Sequence, residues 1–214
     1  VAGKVTVNGE VVKTLGTKVS GEDIITVNGH QLTKESYEYY LLNKPREYIC
    51  SVNDEFKRKV VTDLIATNKR IYPVGRLDYD TTGLLILTND GTLANILMHP
   101  KNGVEKTYVA KIEGNLTMEE LHKLKMGIVI DGVLCKPLRV KIKKHDIIKC
   151  VDIVEVVITE GRNHIVKNLF KAVNHEVIKL KREKYGFLEL GNLKSGEYRP
   201  LSIKEVHRLY AYKK

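Results

Sequence analysis

Cysteine is scarce in this chain: three residues, Cys50, Cys135 and Cys150, none in a CxxC pair. An odd, unpaired set excludes a disulfide framework and fits a reducing compartment, with the thiols as small buried hydrophobes. Seven His are present, but none sits with Cys, Asp or Glu at a metal-ligand spacing, so no structural zinc is expected. No apolar run reaches the roughly 18 residues of a membrane span. The opening VAGKVTVNGE lacks the apolar core of a signal peptide. Low-complexity tracts, a fixed-period repeat and a Gly-rich phosphate loop are also missing. A cytoplasmic protein without a membrane or cofactor partner is the expectation.

What is there is charge. The 214 residues carry a formal net charge of +10, with a pI near 9.3, and 43% of them are apolar. That apolar fraction supports a core and excludes a disordered chain. The length allows one sizeable domain with a small appendage. The basic excess favours a polyanionic partner, nucleic acid before a membrane surface. No apolar surface stripe stands out, and a monomer is expected.

Residues 4–32 read as short strands. Asn8-Gly9 and Asn28-Gly29 each follow a β-branched run, and Asn-Gly is a strong hairpin signal. Leu15 to Val19 reads as a further short strand. So few residues cannot bury a core alone. Residues 33–38 form a polar linker. Tyr39 to Leu42 is an apolar run stopped before Pro45, and residues 59–65 read as a strand or helical turn. Leu84 to Leu87 is a buried strand and Thr92 to Met98 a helix. Lys106 to Ile112 alternates with period two. Thr117 to Glu120 and Ser202 to Glu205 are capping boxes; the first helix ends at Gly127, the second near Tyr210. Asp131-Gly132 joins a hairpin. Strands are expected at 139–143, 151–159, 177–180 and 187–190, with helical spacing from Arg162 to Val173. Many strands, hairpin turns and few helices give α+β with a mainly antiparallel sheet.

Three segments can carry chemistry. Gly75 to Gly91 (GRLDYDTTGLLILTNDG) places Asp78 just before the buried strand, where rigid backbone positions it as a reacting group must be. Arg76 favours the ionised form of that acid. Asp78 can equally close a turn. Asp78 and Asp80 together form a DxD pair that could bind Mg²⁺, though no further acidic cluster accompanies it. Thr159 to Phe170 (TEGRNHIVKNLF) ends a strand and begins a helix near Asn163. Basic side chains there can face an anion at a helix N-terminus, or form a solvated cationic face. Lys167 lies one turn after Asn163 and His164. Residues 139–184 hold twelve Lys/Arg against six Asp/Glu, a plausible surface for an RNA backbone. Tyr108 lies in Glu105-Lys-Thr-Tyr108. It can pack in the core or stack on a nucleobase.

In this order the three segments resemble the pseudouridine synthases of the RsuA/RluB/RluE/RluF family. Gly75 to Gly91 is similar to the family's catalytic motif almost throughout, Lys106-Thr-Tyr108 to its second and Glu160-Gly-Arg-Asn163 to its third. Leu190 to Arg199 (LGNLKSGEYR) resembles the closing pattern, so the likeness covers nearly the whole chain. YPVGRLDYDT and EKTYVAK look most like the branch acting on large-subunit rRNA. In the third motif, Ile165 replaces a common Gln and Asn168 a common basic residue, while Lys167 keeps its charge. VTVNGEVV and LGTKV resemble the C-terminal half of an S4 RNA-binding domain, without the two helices that open such a domain.

The resemblance implies a pseudouridine synthase fold over residues 35–214, a mainly antiparallel mixed sheet flanked by helices, preceded by a partial S4-like segment over 1–34. It implies isomerisation of a uridine in ribosomal RNA, naked or within an assembly intermediate, without a cofactor or metal. Asp78 is then the nucleophile, held ionised by Lys167 and Arg76. Tyr108 stacks on a uracil taken out of its stack. Arg76 holds the vacated space or the backbone, and Arg162, Asn163 and Lys179 contact RNA. Alternatives are a small-subunit rRNA or tRNA substrate, a non-catalytic rRNA-binding assembly protein, and a Mg²⁺-dependent nuclease or phosphotransferase using Asp78 and Asp80.

Overall fold

The computed structural model describes residues 4–33 and 35–214; one residue of the expected linker, Lys34, lies outside them. The chain divides into two compact units, Val1–Ser36 and Tyr37–Lys214.

The first unit is a four-stranded antiparallel sheet in the order β2-β1-β3-β4. Its strands are β1 (Val5–Val7), β2 (Glu10–Val11), β3 (Ile25–Val27) and β4 (His30–Gln31). Asn8-Gly9 and Asn28-Gly29 adopt positive φ at both residues, the geometry of a tight two-residue hairpin. Leu15 to Val19, expected as a strand, is irregular, and Leu15 is exposed. Among the described residues no strand pairs with that run.

In the second unit β5 (Tyr39–Lys44) leads through a short 3-10 turn at Val61–Leu64 to β6 (Tyr72–Pro73). Next come β7 (Thr82–Thr88), α1 (Gly91–Met98), β8 (Lys106–Glu113) and α2 (Met118–Met126). A hairpin of β9 (Ile128–Ile130) and β10 (Val133–Cys135) turns at Asp131-Gly132. The chain continues with β11 (Arg139–Asp146), β12 (Val151–Ile158), α3 (Ile165–Lys171) and β13 (Val177–Tyr185). It closes with β14 (Leu188–Glu189), β15 (Tyr198–Pro200) and α4 (Ile203–Tyr210). The main sheet runs β11-β12-β8-β13-β7-β5-β15, with β6 on β7 and β14 on β13. β13 and β7 are parallel and the other pairs antiparallel.

The centre of this sheet explains the run Leu84 to Leu87. Leu85 and Leu87 join one apolar cluster with Tyr108, Leu169 and Phe170, while Leu84 and Ile86 join another with α1 and α4. A strand covered on both faces reads as continuous rather than alternating hydrophobicity. All four are fully buried, each contributing about 2 kcal/mol of transfer free energy. Gly83 lies at φ +110, where a Cβ would meet the Arg182 carbonyl oxygen at 2.2 Å. Only glycine lets β13 approach β7 there.

Both capping boxes form, at Thr117 and Ser202, and Gly127 caps α2. Asp90 caps α1, accepting from Thr92 N and Leu93 N. The helix expected over Arg162–Val173 is shorter at Ile165–Lys171, because His164 takes a left-handed conformation and precedes it without a side-chain cap. At seven residues it is a weaker source of N-terminal field than the sequence suggested. The strands expected at 139–143 and 177–180 extend to Asp146 and Tyr185.

Candidate active site

Asp78 stands in the turn between β6 and β7, where Thr81 N donates to Asp78 O at 3.1 Å. Beneath it is Lys44, at the end of β5 and fully buried. Its Nζ donates to three backbone carbonyls: Asp78 O at 3.0 Å, Thr81 O at 2.9 Å and Pro45 O at 3.0 Å. All three ammonium hydrogens are thereby used, and the loop is tied at both ends. Burial pushes the Lys44 pKa down, against the pull of Cys50, Asp78 and Asp80. Cys50 adds a second tie, exchanging hydrogen bonds with Leu77 N and O at 3.3 Å.

α3 supplies the cation. Lys167 Nζ lies 3.1 Å from Asp78 Oδ2 and 2.7 Å from Asp80 Oδ1. Partial burial works against its charge, but the two carboxylates outweigh that and hold its pKa above the ordinary value. Burial likewise works against the Asp80 carboxylate; the Lys167 bond prevails and holds Asp80 below its ordinary range. His164 Nε2 lies 3.4 Å from Asp78 Oδ1. Lys167 therefore occupies the place between Asp78 and Asp80 that a DxD metal would need. Among the described residues no group of three or more His, Cys, Asp or Glu could hold a metal ion.

Asp78 and His164 line a cavity of about 370 Å³. Its wall includes Arg76, Asp78, Tyr108, Arg162, Asn163 and Arg182. Tyr108 on β8 is buried, and Arg182 Nη1 donates to its hydroxyl at 3.4 Å. Three buried side-chain polar atoms among the described residues lack a hydrogen-bond partner: Thr81 Oγ1, Arg162 Nη2 and Arg182 Nη2. All three residues line this cavity. Orphaned groups gathered at one concavity fit a ligand rich in polar atoms.

Most of the expected constellation meets here, with three departures. Arg76 is exposed on the cavity wall and makes no ion pair with Asp78; Lys167 forms that pair instead, with His164 Nε2 beside the other carboxylate oxygen. Arg162 is not a free cation. It pairs with Glu160 and donates to Ile130 O at 2.8 Å, holding the β9–β10 hairpin beside the cavity. Lys179 lies elsewhere, in a separate groove with Arg46, Lys111 and Lys181. Sequence reasoning missed Lys44 and Arg182. Lys44 looked like the polar end of a strand, and Arg182 is one base among many in KLKREK; no spacing marks either as buried.

The model of the RNA pseudouridylate synthase family matches residues 38–172, which contain Asp78, Tyr108 and Lys167. This chain belongs to that family. It is an RNA pseudouridine synthase, which isomerises uridine to pseudouridine. It is 51% identical over 210 residues to ribosomal large subunit pseudouridine synthase B of Bacillus subtilis, covering 98% of this chain and 86% of that protein. An RNA pseudouridine synthase of Aquifex aeolicus is 40% identical over 211 residues, covering 97% and 84%. A crystal structure of a pseudouridylate synthase superposes with a TM-score of 0.75 at 33% identity, covering 97% of this chain and 89% of that one. The α+β fold with a mainly antiparallel mixed sheet is thus the synthase fold. No helix among the described residues is long and apolar enough to cross a membrane.

Proposed function

We propose that this synthase modifies a uridine of large-subunit ribosomal RNA, with Asp78 as nucleophile, Lys167 as its ion-pair partner and Tyr108 as the platform under the flipped base. The observation that carries the reading is the Asp78–Lys167 pair at 3.1 Å, with Asp78 and Tyr108 lining one cavity. A cavity of this size suits one extruded nucleotide. The large-subunit substrate rests on the Bacillus subtilis relative. Residues 4–33 are the accessory RNA-contacting segment in this scheme, and Arg76 meets phosphate at the rim. Asn163 is exposed on the same wall.

Pseudouridine maps of rRNA from cells with and without the gene test the substrate. One large-subunit uridine should lose its modification. A lost site in small-subunit rRNA or tRNA instead would overturn the assignment.

Lys167→Met removes the nearest cation and leaves Asp78 and Asp80 facing each other. Single-turnover rates should drop by about 10²–10³, as when one preorganised electrostatic partner is deleted. Turnover at the wild-type rate would refute the pairing. Arg76→Ala should weaken RNA binding and lower the salt-dependence slope by about 1, as for a lost phosphate contact. An unchanged slope in a salt titration would count against that contact.

A further inference from the structure

Two buried cations border the reaction cavity, and neither has a carboxylate within ion-pair distance among the described residues. Arg182 on β13 is 2% exposed. Its Nε donates to Leu84 O at 2.8 Å and its Nη1 to the Tyr108 hydroxyl, while Nη2 has no partner. Lys106, at the start of β8, is 7% exposed and donates only to Thr159 O at 2.9 Å and Val104 O at 3.2 Å. Both cations sit over the ring of Tyr185, at 5.1 Å and 5.4 Å from its centroid. Both also line the cavity that holds Asp78. Glu160, the acid whose charge acts on Lys106, is bonded to Arg162. Burial, followed by repulsion from Arg182, pushes the Lys106 pKa down to about 8.

Unneutralised charge is expensive to bury, and a hydrogen-bond donor left without a partner adds to that. Such a pair is relieved when negative charge arrives beside it. Uridine isomerisation at this cavity, the reading on which this inference rests, generates that charge. When the C1′–N1 bond breaks, its electron pair stays with uracil, spread over N1, O2 and O4. This holds whether C1′ gains a bond to an Asp78 oxygen or the sugar loses its 2′ proton and becomes a glycal. The charge leaves the ring when C5 bonds to C1′; the ring then loses its C5 proton and takes up a proton at N1, so the product is neutral.

We propose that Arg182, assisted by Lys106, stabilises the departing uracil anion by donating to a uracil carbonyl oxygen as the glycosidic bond breaks. No proton is transferred in this role. It is electrostatic stabilisation that acts in the transition state more than in the bound substrate. The Arg182–Tyr108 hydrogen bond places the guanidinium against the ring proposed to lie under the base.

A leaving-group comparison tests this on the full chain. Target RNAs carry either uridine or 5-fluorouridine at the modified position, and consumption of the N-glycoside is followed under single turnover. Fluorine draws electrons from the ring and makes uracil a better leaving group without help from the protein. Arg182→Met should lose about 10²–10³ in rate on uridine, with RNA affinity unchanged. On 5-fluorouridine that loss should shrink by about tenfold or more. Arg182→Lys, which keeps a cation and guards against misfolding of the Met variant, should fall between. Lys106→Met should show the same trend with a smaller loss. Equal losses on both RNAs would overturn the proposal, because a structural defect does not sense the leaving group. A loss confined to affinity would also overturn it and assign Arg182 to phosphate. If the broader reading is wrong, wild-type protein consumes neither RNA, a separate outcome.

Discussion

Asp78→Asn should form no pseudouridine in rRNA while folding and binding RNA as the wild type does. The amide keeps the size of the carboxylate and can still contact Lys167 and His164, so the loop tied by Lys44 has no reason to move. What disappears is the anionic oxygen. A neutral amide has no comparable nucleophilic lone pair, and loss of a nucleophile typically lowers kcat by about 10⁴–10⁶. The Asp78 side chain is about a quarter exposed, so the substitution buries no new polar surface. Chemical mapping of pseudouridine after incubation with rRNA, together with a filter-binding isotherm, reads both halves of the expectation. Product formation at a tenth of the wild-type rate would remove Asp78 from its role.

Lys44→Met should have the second-largest effect, on stability and rate together. Methionine matches the length of lysine but donates nothing to Asp78 O, Thr81 O and Pro45 O. Buried carbonyls left without partners destabilise by about 1–3 kcal/mol each, offset in part because a buried charge is also removed. A net loss of about 2–4 kcal/mol in denaturant titration is the expected result. The released loop should also misplace Asp78, and a displacement near 1 Å lowers rate by about 10². A variant as stable as the parent and equally active would show that the loop holds itself.

The elements with strong local signals were legible in the sequence. Asn-Gly and Asp-Gly turns, two capping boxes and the run Leu84 to Leu87 each specify their geometry through a few neighbouring residues. The long motifs also singled out Asp78, Tyr108 and Lys167, and the structure puts Lys167 beside Asp78 and has Tyr108 line the same cavity as Asp78. What stayed hidden depends on contacts between distant segments. The fate of Leu15 to Val19 turned on whether another strand lay beside it. The pairing of Arg162 with Glu160, rather than with an open surface, follows from a tight turn that composition does not reveal. Lys44 and Arg182 carry charge that sequence patterning assigns to solvent, and only the assembled sheet shows them enclosed. Sequence rules failed most where the protein buries charge.

The order of strands has a consequence for synthesis on the ribosome. β7 carries the exit of the Asp78 loop and β8 carries Tyr108, yet the two are not neighbours: β13 lies between them. Until β13 emerges, β7 and β8 in a growing chain each keep an unpaired edge, and Arg182 is missing altogether. Closure waits for the parallel contact at Gly83, between segments far apart in the chain. A nascent or truncated form ending before β13 therefore lacks the strand that joins β7 to β8, and its open edges are surfaces a chaperone must cover.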